Sequence, residues 1–259
     1  GEILVRESLH FSYRGIHSVD MGLLNVNIGD GMLEEPFVAS REIKEIKIRG
    51  RHKPYFQGIE LYPLSFPVSF AFKERFNEKK IREVARWLTP NYYESFYTVN
   101  NPNKIWFCLP VEDFMIIHNG LKQGYVQLTM RCDSPYTYSQ QILSPVYDFS
   151  NNTSLGTFFI FDNLGDVELK PEMWITKIGD GDISIVNITD GNKEFKFVNL
   201  VDNEVIYVNN KKEIIKTDIS MTYRYDNFND NYLKFVFGKN NLIAYGDFKM
   251  NLRYRFVIL

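Results

Sequence analysis

The sequence predicts a mainly β protein built as two domains, residues 1–138 and 139–259, with one α-helix in the first. Three observations carry this. The 259 residues include 21 Phe and 16 Tyr, an aromatic share of 15%, and such residues favour strands and broad contact surfaces over helical bundles. Only residues 77–90 show a clean helical period. After Tyr138 the chain breaks into short alternating runs separated by Asn, Asp and Gly, the spacing of a β-sandwich. The join is marked by an alternating strand that runs through Met130 and Cys132 into Ser134-Pro135, with His10, His17, His52 and His118 all lying before it.

In the first domain, residues 10–14 form a short strand that turns at Gly15 and continues past Ile16. Glu34-Glu35-Pro36 reads as a loop, because proline donates no ladder hydrogen bond and holds its predecessor extended. Ile43, Ile46 and Ile48 lie in a charged run, 41–53, whose imperfect alternation predicts a bulged or bent strand. Residues 60–72 alternate well enough for one long strand, placed at an edge or bulge by Pro63 and Pro67. Asn77 is the expected N-cap of the helix. Ile81, Val84, Ala85 and Leu88 share one face with Trp87 beside them, and Pro90 ends it. Strands are expected at 95–99, 104–109, 114–118 and 124–132. In the second domain they are expected at 157–161, 168–176, 182–188, 194–198, 205–208, 214–217, 232–237 and 248–257. The turns between them include 163–166, 179–181, 190–192 and 208–210, with another at 239–241.

Composition excludes several functions. A net charge of −2 gives no field for gripping nucleic acid. Neither domain is basic: 17 Lys+Arg face 16 Asp+Glu in the first, and 13 face 16 in the second. Cys108 and Cys132 could pair across adjacent strands, although two thiols in a chain this long are more often free and buried. No signal-type apolar segment opens the chain and no run approaches a membrane span, so cytoplasmic assembly without membrane insertion is expected.

No catalytic or cofactor signature stands out. The four histidines and two cysteines lack metal-ligand spacing, no nucleophile elbow occurs, and Gly29-Asp30-Gly31 lacks the rest of a phosphate-binding loop. The acidic stretch 226–230 puts Phe228 where a calcium loop needs an oxygen ligand. Trp174 could stack on a sugar in a carbohydrate-binding host-recognition module. The second domain has no histidine for a galectin signature, however, and the position three after Trp174 is Lys177, so Trp174 reads better as sandwich core.

Four segments in order carry a resemblance: Phe11-Ser12-Tyr13-Arg14-Gly15-Ile16-His17-Ser18 with Met21-Gly22-Leu23; Ile48-Arg49-Gly50-Arg51; Ile81-Arg82-Glu83-Val84-Ala85-Arg86-Trp87-Leu88; and Met130-Arg131-Cys132-Asp133-Ser134-Pro135-Tyr136. Together they resemble the distal tail protein of long-tailed phages of Gram-positive bacteria. That resemblance implies an N-terminal split-barrel or β-sandwich domain that closes a ring, and a C-terminal galectin-like β-sandwich. It also implies a virion protein of the tail tip, a homo-hexamer and not an enzyme. The ring would join the major tail tube protein to a tail-associated lysin or tail fibre and to baseplate receptor-binding proteins, with phage DNA passing through its channel unbound. Residues Arg41, Lys44, Lys47 and Arg49, and the cluster Tyr92, Tyr93 and Tyr97, are the candidate contacts between subunits.

Overall fold

A computed structural model describes residues 8–26 and 38–259; Gly29-Asp30-Gly31 and the expected loop at Glu34-Glu35-Pro36 lie outside them. The chain is mainly β and folds as two compact units, Gly1–Tyr138 with Leu259, and Ser139–Ile258.

In the first unit, Phe11–Tyr13 and Ile16–His17 form a two-residue hairpin. Arg14 and Gly15 have φ of 53° and 72°, the left-handed pair that matches the twist of the flanking strands. The sheet runs in the order Ile16–His17, Phe11–Tyr13, Glu94–Thr98, Asn101–His118, Gly124–Cys132, Ser65–Phe72, Leu23–Asn25 and curls into a half-barrel. Period-two alternation sets its register. Phe66, Val68 and Phe70 oppose Met130, Leu128 and Val126, and all six are buried.

Helix Glu78–Leu88 closes this core. The Asn77 side chain accepts the Lys80 N–H at 2.9 Å, and Thr89 Oγ1 donates to the Ala85 carbonyl at 2.9 Å. Val84, Trp87 and Leu88 are buried, whereas Ala85, expected on the apolar stripe, is exposed. The helix is rotated so that its largest ring faces inward. Each buried side chain contributes about 1.5–3 kcal/mol before entropy.

Two strand expectations for this unit need correction. Residues 60–72 are not one strand: Tyr55–Leu61 pairs with Arg41–Ile46, and Ser65–Phe72 pairs with Gly124–Cys132. The break falls at residues 62–64, around the donor-less Pro63. Conversely, the expected strands 104–109 and 114–118 are parts of one strand, Asn101–His118. Its register shifts between Val111 and Met115, with Glu112 at φ 67°, so a bulge absorbs the irregularity and the strand does not end.

The second unit is a β-sandwich. One sheet runs in the order Ile142–Leu143, Phe248–Tyr254, Glu172–Lys177, Val205–Asn209, Ile214–Thr217, with Tyr147–Phe149 also on Phe248–Tyr254. The other runs Thr157–Asn163, Gly238–Tyr245, Gly181–Asn187, Lys193–Leu200. Between them lies an aromatic core in which Phe161 stacks on Phe235 at 3.9 Å, and Phe228 packs on Phe195 and Phe197. Phe228 is therefore a core residue.

The second unit also departs from expectation in three places. The strand expected at 168–176 begins at Glu172, after Pro171; Leu169 makes only an isolated bridge to Phe235. No strand spans 232–237, and the turn expected at 239–241 lies inside strand Gly238–Tyr245. Asn240 explains the inversion. It is fully buried, and its side chain accepts the Val236 N–H while donating to the Val236 and Gly238 carbonyls, each at 2.9 Å. The side chain thus makes the turn while its own backbone stays extended. At Gly246, φ 82°, the chain crosses from strand Gly238–Tyr245 of one sheet to Phe248–Tyr254 of the other, and a Cβ there would lie 2.2 Å from the Asp182 carbonyl.

Candidate functional site

Among the described residues, no core packs behind hairpin Arg41–Ile46/Tyr55–Leu61. Every residue of its first strand is exposed, including Ile43 at 60%, and on the second strand Phe56 is 67% and Ile59 51% exposed. The bulge falls between Lys44 and Glu45, as the broken alternation suggests. Ile43 lies directly opposite Ile59, and Glu42 opposite Glu60. Facing carboxylates repel; Lys44 Nζ bridges them at 3.1 and 2.7 Å. The hydrogen bonds to Glu60 and Glu42 push the Lys44 ammonium well above its ordinary range, and Tyr62 donates to Glu42. Lys44 therefore serves the hairpin's own register. Arg41, Lys47 and Arg49 are exposed. Gly50 turns the chain at φ 87°, and Arg51 lies over the Tyr55 ring at 4.9 Å.

A bare two-stranded hairpin is marginal in water, and exposed apolar pairs of this kind mark contact surfaces. The sequence signal was available in Phe56 and Ile59 but was masked by the surrounding charges.

The tyrosine cluster lies elsewhere in the same unit. Tyr92 is 73% exposed and meets the Tyr93 ring edge-on at 5.4 Å. Tyr93 accepts from Arg131 at 3.0 Å, and Tyr97, half-buried on strand Glu94–Thr98, stands edge-on to His17.

Trp174 is not sandwich core. Met173 and Ile175 point inward, so Trp174 takes the outer face of its sheet, opposite Tyr207 and Asn251. Its ring packs on Tyr207 at 5.1 Å and carries the Arg253 guanidinium at 4.9 Å. Glu172 holds the group together by accepting from Arg253 Nε at 2.6 Å, from Asn209 at 3.2 Å and from Tyr207. The Arg253 hydrogen bond leads in holding the Glu172 carboxyl below the usual range, against the opposing effect of burial. The indole ring lies against this hydrogen-bonded group on the outer face of its sheet.

Two of the segments that carry the resemblance, residues 11–18 and 81–88, meet in space. Trp87 Nε1 donates to the Tyr13 carbonyl at 2.9 Å, and its ring stacks on Phe11 at 5.8 Å. Arg14 Nη1 donates to the Arg86 and Trp87 carbonyls at 3.2 and 3.0 Å, satisfying the helix C-terminus. Tyr13 in turn donates to the Cys108 carbonyl at 3.2 Å. Burial first, then the field of Cys108, pushes the Tyr13 phenol far up, so it stays neutral. These are packing roles. Among the described residues no group of three or more His, Cys, Asp or Glu could hold a metal ion, and no helix is long and apolar enough to cross a membrane.

Residues 6–134 match the phage tail protein N-terminal domain, and residues 136–254 match the phage tail C-terminal domain. The chain belongs to this family of phage tail proteins. It is 34% identical over 256 residues to YomH, an SPbeta prophage-derived protein of Bacillus subtilis strain 168, covering 99% of this chain and 100% of that one. The fold of this tail protein is similar to that of the Dit protein (gp 19.1) of phage SPP1. The TM-score is 0.71 at 15% identity, over 95% of this chain and 98% of that one. The SPP1 protein is described as a paradigm of the hub adsorption apparatus in phages infecting Gram-positive bacteria. A chain of the phage P2 baseplate aligns over 84% of this one with a TM-score of 0.45 at 8% identity. By family the protein is thus a phage tail protein, with a fold similar to that of the SPP1 Dit protein.

Proposed function

We propose that the tail protein closes a homo-hexameric ring through residues 1–138 and joins the major tail tube protein to the tail-tip proteins, with residues 139–259 as an outward galectin-like sandwich. The tail-tip partners would be a tail-associated lysin or tail fibre and the receptor-binding proteins of the baseplate. Assembly would take place in the host cytoplasm, with DNA passing through the channel unbound, in keeping with a net charge of −2. The observation that carries the reading is the hairpin with both faces exposed, on a chain whose fold resembles a hub protein along 95% of its length. A ring of identical chains uses heterologous contacts, so one patch must meet a different patch on the next copy. The hairpin supplies the first, with Ile43, Phe56 and Ile59 giving apolar area and Arg41, Lys47 and Arg49 giving charge. The Tyr92, Tyr93 and Tyr97 cluster supplies the second, with ring faces suited to those cations.

Replacing Phe56 and Ile59 together by Asp tests this. Stability of the single chain should change by no more than about 0.5 kcal/mol per site, as for other exposed positions, while the hexamer disappears from native mass spectra. A hexamer that survives both substitutions removes the hairpin from the interface.

A further inference from the structure

We propose that Cys108 and Cys132 are a latent cross-strand disulfide, open in the folded chain and closed by hydroperoxide-class oxidants, which staples strand Asn101–His118 to strand Gly124–Cys132. The two residues are direct register partners in the antiparallel ladder, and both are free and fully buried on the core face of the sheet. Asp133 N–H donates to the Phe107 carbonyl at 2.9 Å. That bond flanks the pair and makes it a non-hydrogen-bonded position, where opposed Cα atoms lie about 4.5 Å apart. Disulfides span Cα separations of roughly 4.4–6.8 Å, so the bond can form without moving either strand.

Access is the remaining question, and the position of Cys132 answers it. It is the last residue of its strand. Freeing it requires the loss of three backbone bonds: Cys132 N–H to Leu64 O at 2.8 Å, Leu64 N–H to Ser134 O at 3.1 Å, and Asp133 N–H to Phe107 O. Strand ends open more readily than strand centres. In the closed sheet, burial and then the hydrogen bond with Cys132 push the Cys108 thiol well above its ordinary range, and both sulfurs are shielded by the core, so reaction proceeds through the frayed end.

The chemistry balances with one hydroperoxide. The Cys132 thiolate attacks a peroxide oxygen, the O–O bond breaks, and the departing hydroxide takes the thiol proton to become water. Cys108 sulfur then displaces the hydroxyl of the resulting sulfenic acid, which leaves with the Cys108 proton as a second water. Two electrons pass from the two sulfurs to the peroxide. Virions leave a reducing cytoplasm for an oxidising exterior, so a pair that is open during folding and closed afterwards would lock the sheet once the tail is built. The closed loop, residues 109–131, contains the bulge at Val111–Met115, whose motion the staple would limit.

The full-length chain is incubated with hydrogen peroxide, then denatured in iodoacetamide and weighed intact. The expected product has lost about two mass units and takes up no alkyl group, and its melting temperature is raised in a manner that dithiothreitol reverses. Cys132→Ser, if it folds, shows neither change; the mass of the unsubstituted chain decides the matter alone if it does not. Two alkylated thiols after prolonged peroxide, oxygen adducts on unpaired sulfur, or a disulfide between two chains would each overturn the proposal.

Discussion

Trp87→Ala should destabilise the first unit by about 3–5 kcal/mol, the range for truncating a buried tryptophan. Trp87 is 4% exposed, stacks on Phe11 and meets Tyr13 edge-on at 6.0 Å. Its indole N–H satisfies the Tyr13 carbonyl, so alanine leaves both a cavity and an orphaned acceptor. Trp87→Phe keeps most of the volume and loses mainly the hydrogen bond, about 1 kcal/mol. Urea titration of the full chain, followed by circular dichroism, reads both values. A Trp87→Ala shift below about 1 kcal/mol would mean that the helix is not the lid of this core.

In the second unit the largest single effect is expected at Glu204. Its side chain is fully buried and accepts from Arg224 Nε and Nη2 at 2.7 and 2.8 Å, from Thr217 Oγ1 at 2.6 Å and from the Val201 N–H at 3.2 Å. Glu204→Gln strands the guanidinium and should cost about 3–5 kcal/mol, whereas replacing Glu204 and Arg224 together by Met should recover most of it. Burial alone would raise this carboxyl, but the hydrogen bonds from Arg224, Thr217 and Val201 outweigh it and hold the group below the usual glutamate range. Because the folded value is depressed, the stabilisation is fully present above the unfolded value, about 4.3. It is lost as the pH falls from there through the folded value. Acid unfolding of the second unit should therefore steepen below about pH 4 in the unsubstituted chain and flatten in Glu204→Gln. Identical acid profiles would contradict the assignment.

Much of this architecture was legible because local and tertiary preferences agree. Asn77, Val84, Leu88 and Pro90 mark the helix as the structure has it, and alternation along residues 124–132 gives both strand and buried face. The failures share a physical cause. Asn240 carries turn chemistry in its side chain while its backbone stays in the sheet, and Glu112 takes up a bulge that reads as a strand break. Trp174 lies on an outer face, where Tyr207 and Arg253 complete its surroundings from distant parts of the chain. No spacing rule could reveal those partners. The hairpin was legible as a bent strand, but its exposure was not, since exposure depends on what else packs there. Its basic residues also divide in a way that charge counting hides: Lys44 neutralises Glu42 and Glu60, while Arg41, Lys47 and Arg49 remain on the surface.

The central claim is the ring, and particle symmetry tests it most directly. Class averages from negative-stain electron microscopy, taken of the purified chain alone and mixed with its tube and tail-tip partners, should show a closed six-fold ring with a central channel. A protein that stays monomeric in both preparations, or that closes with a different symmetry, would contradict it.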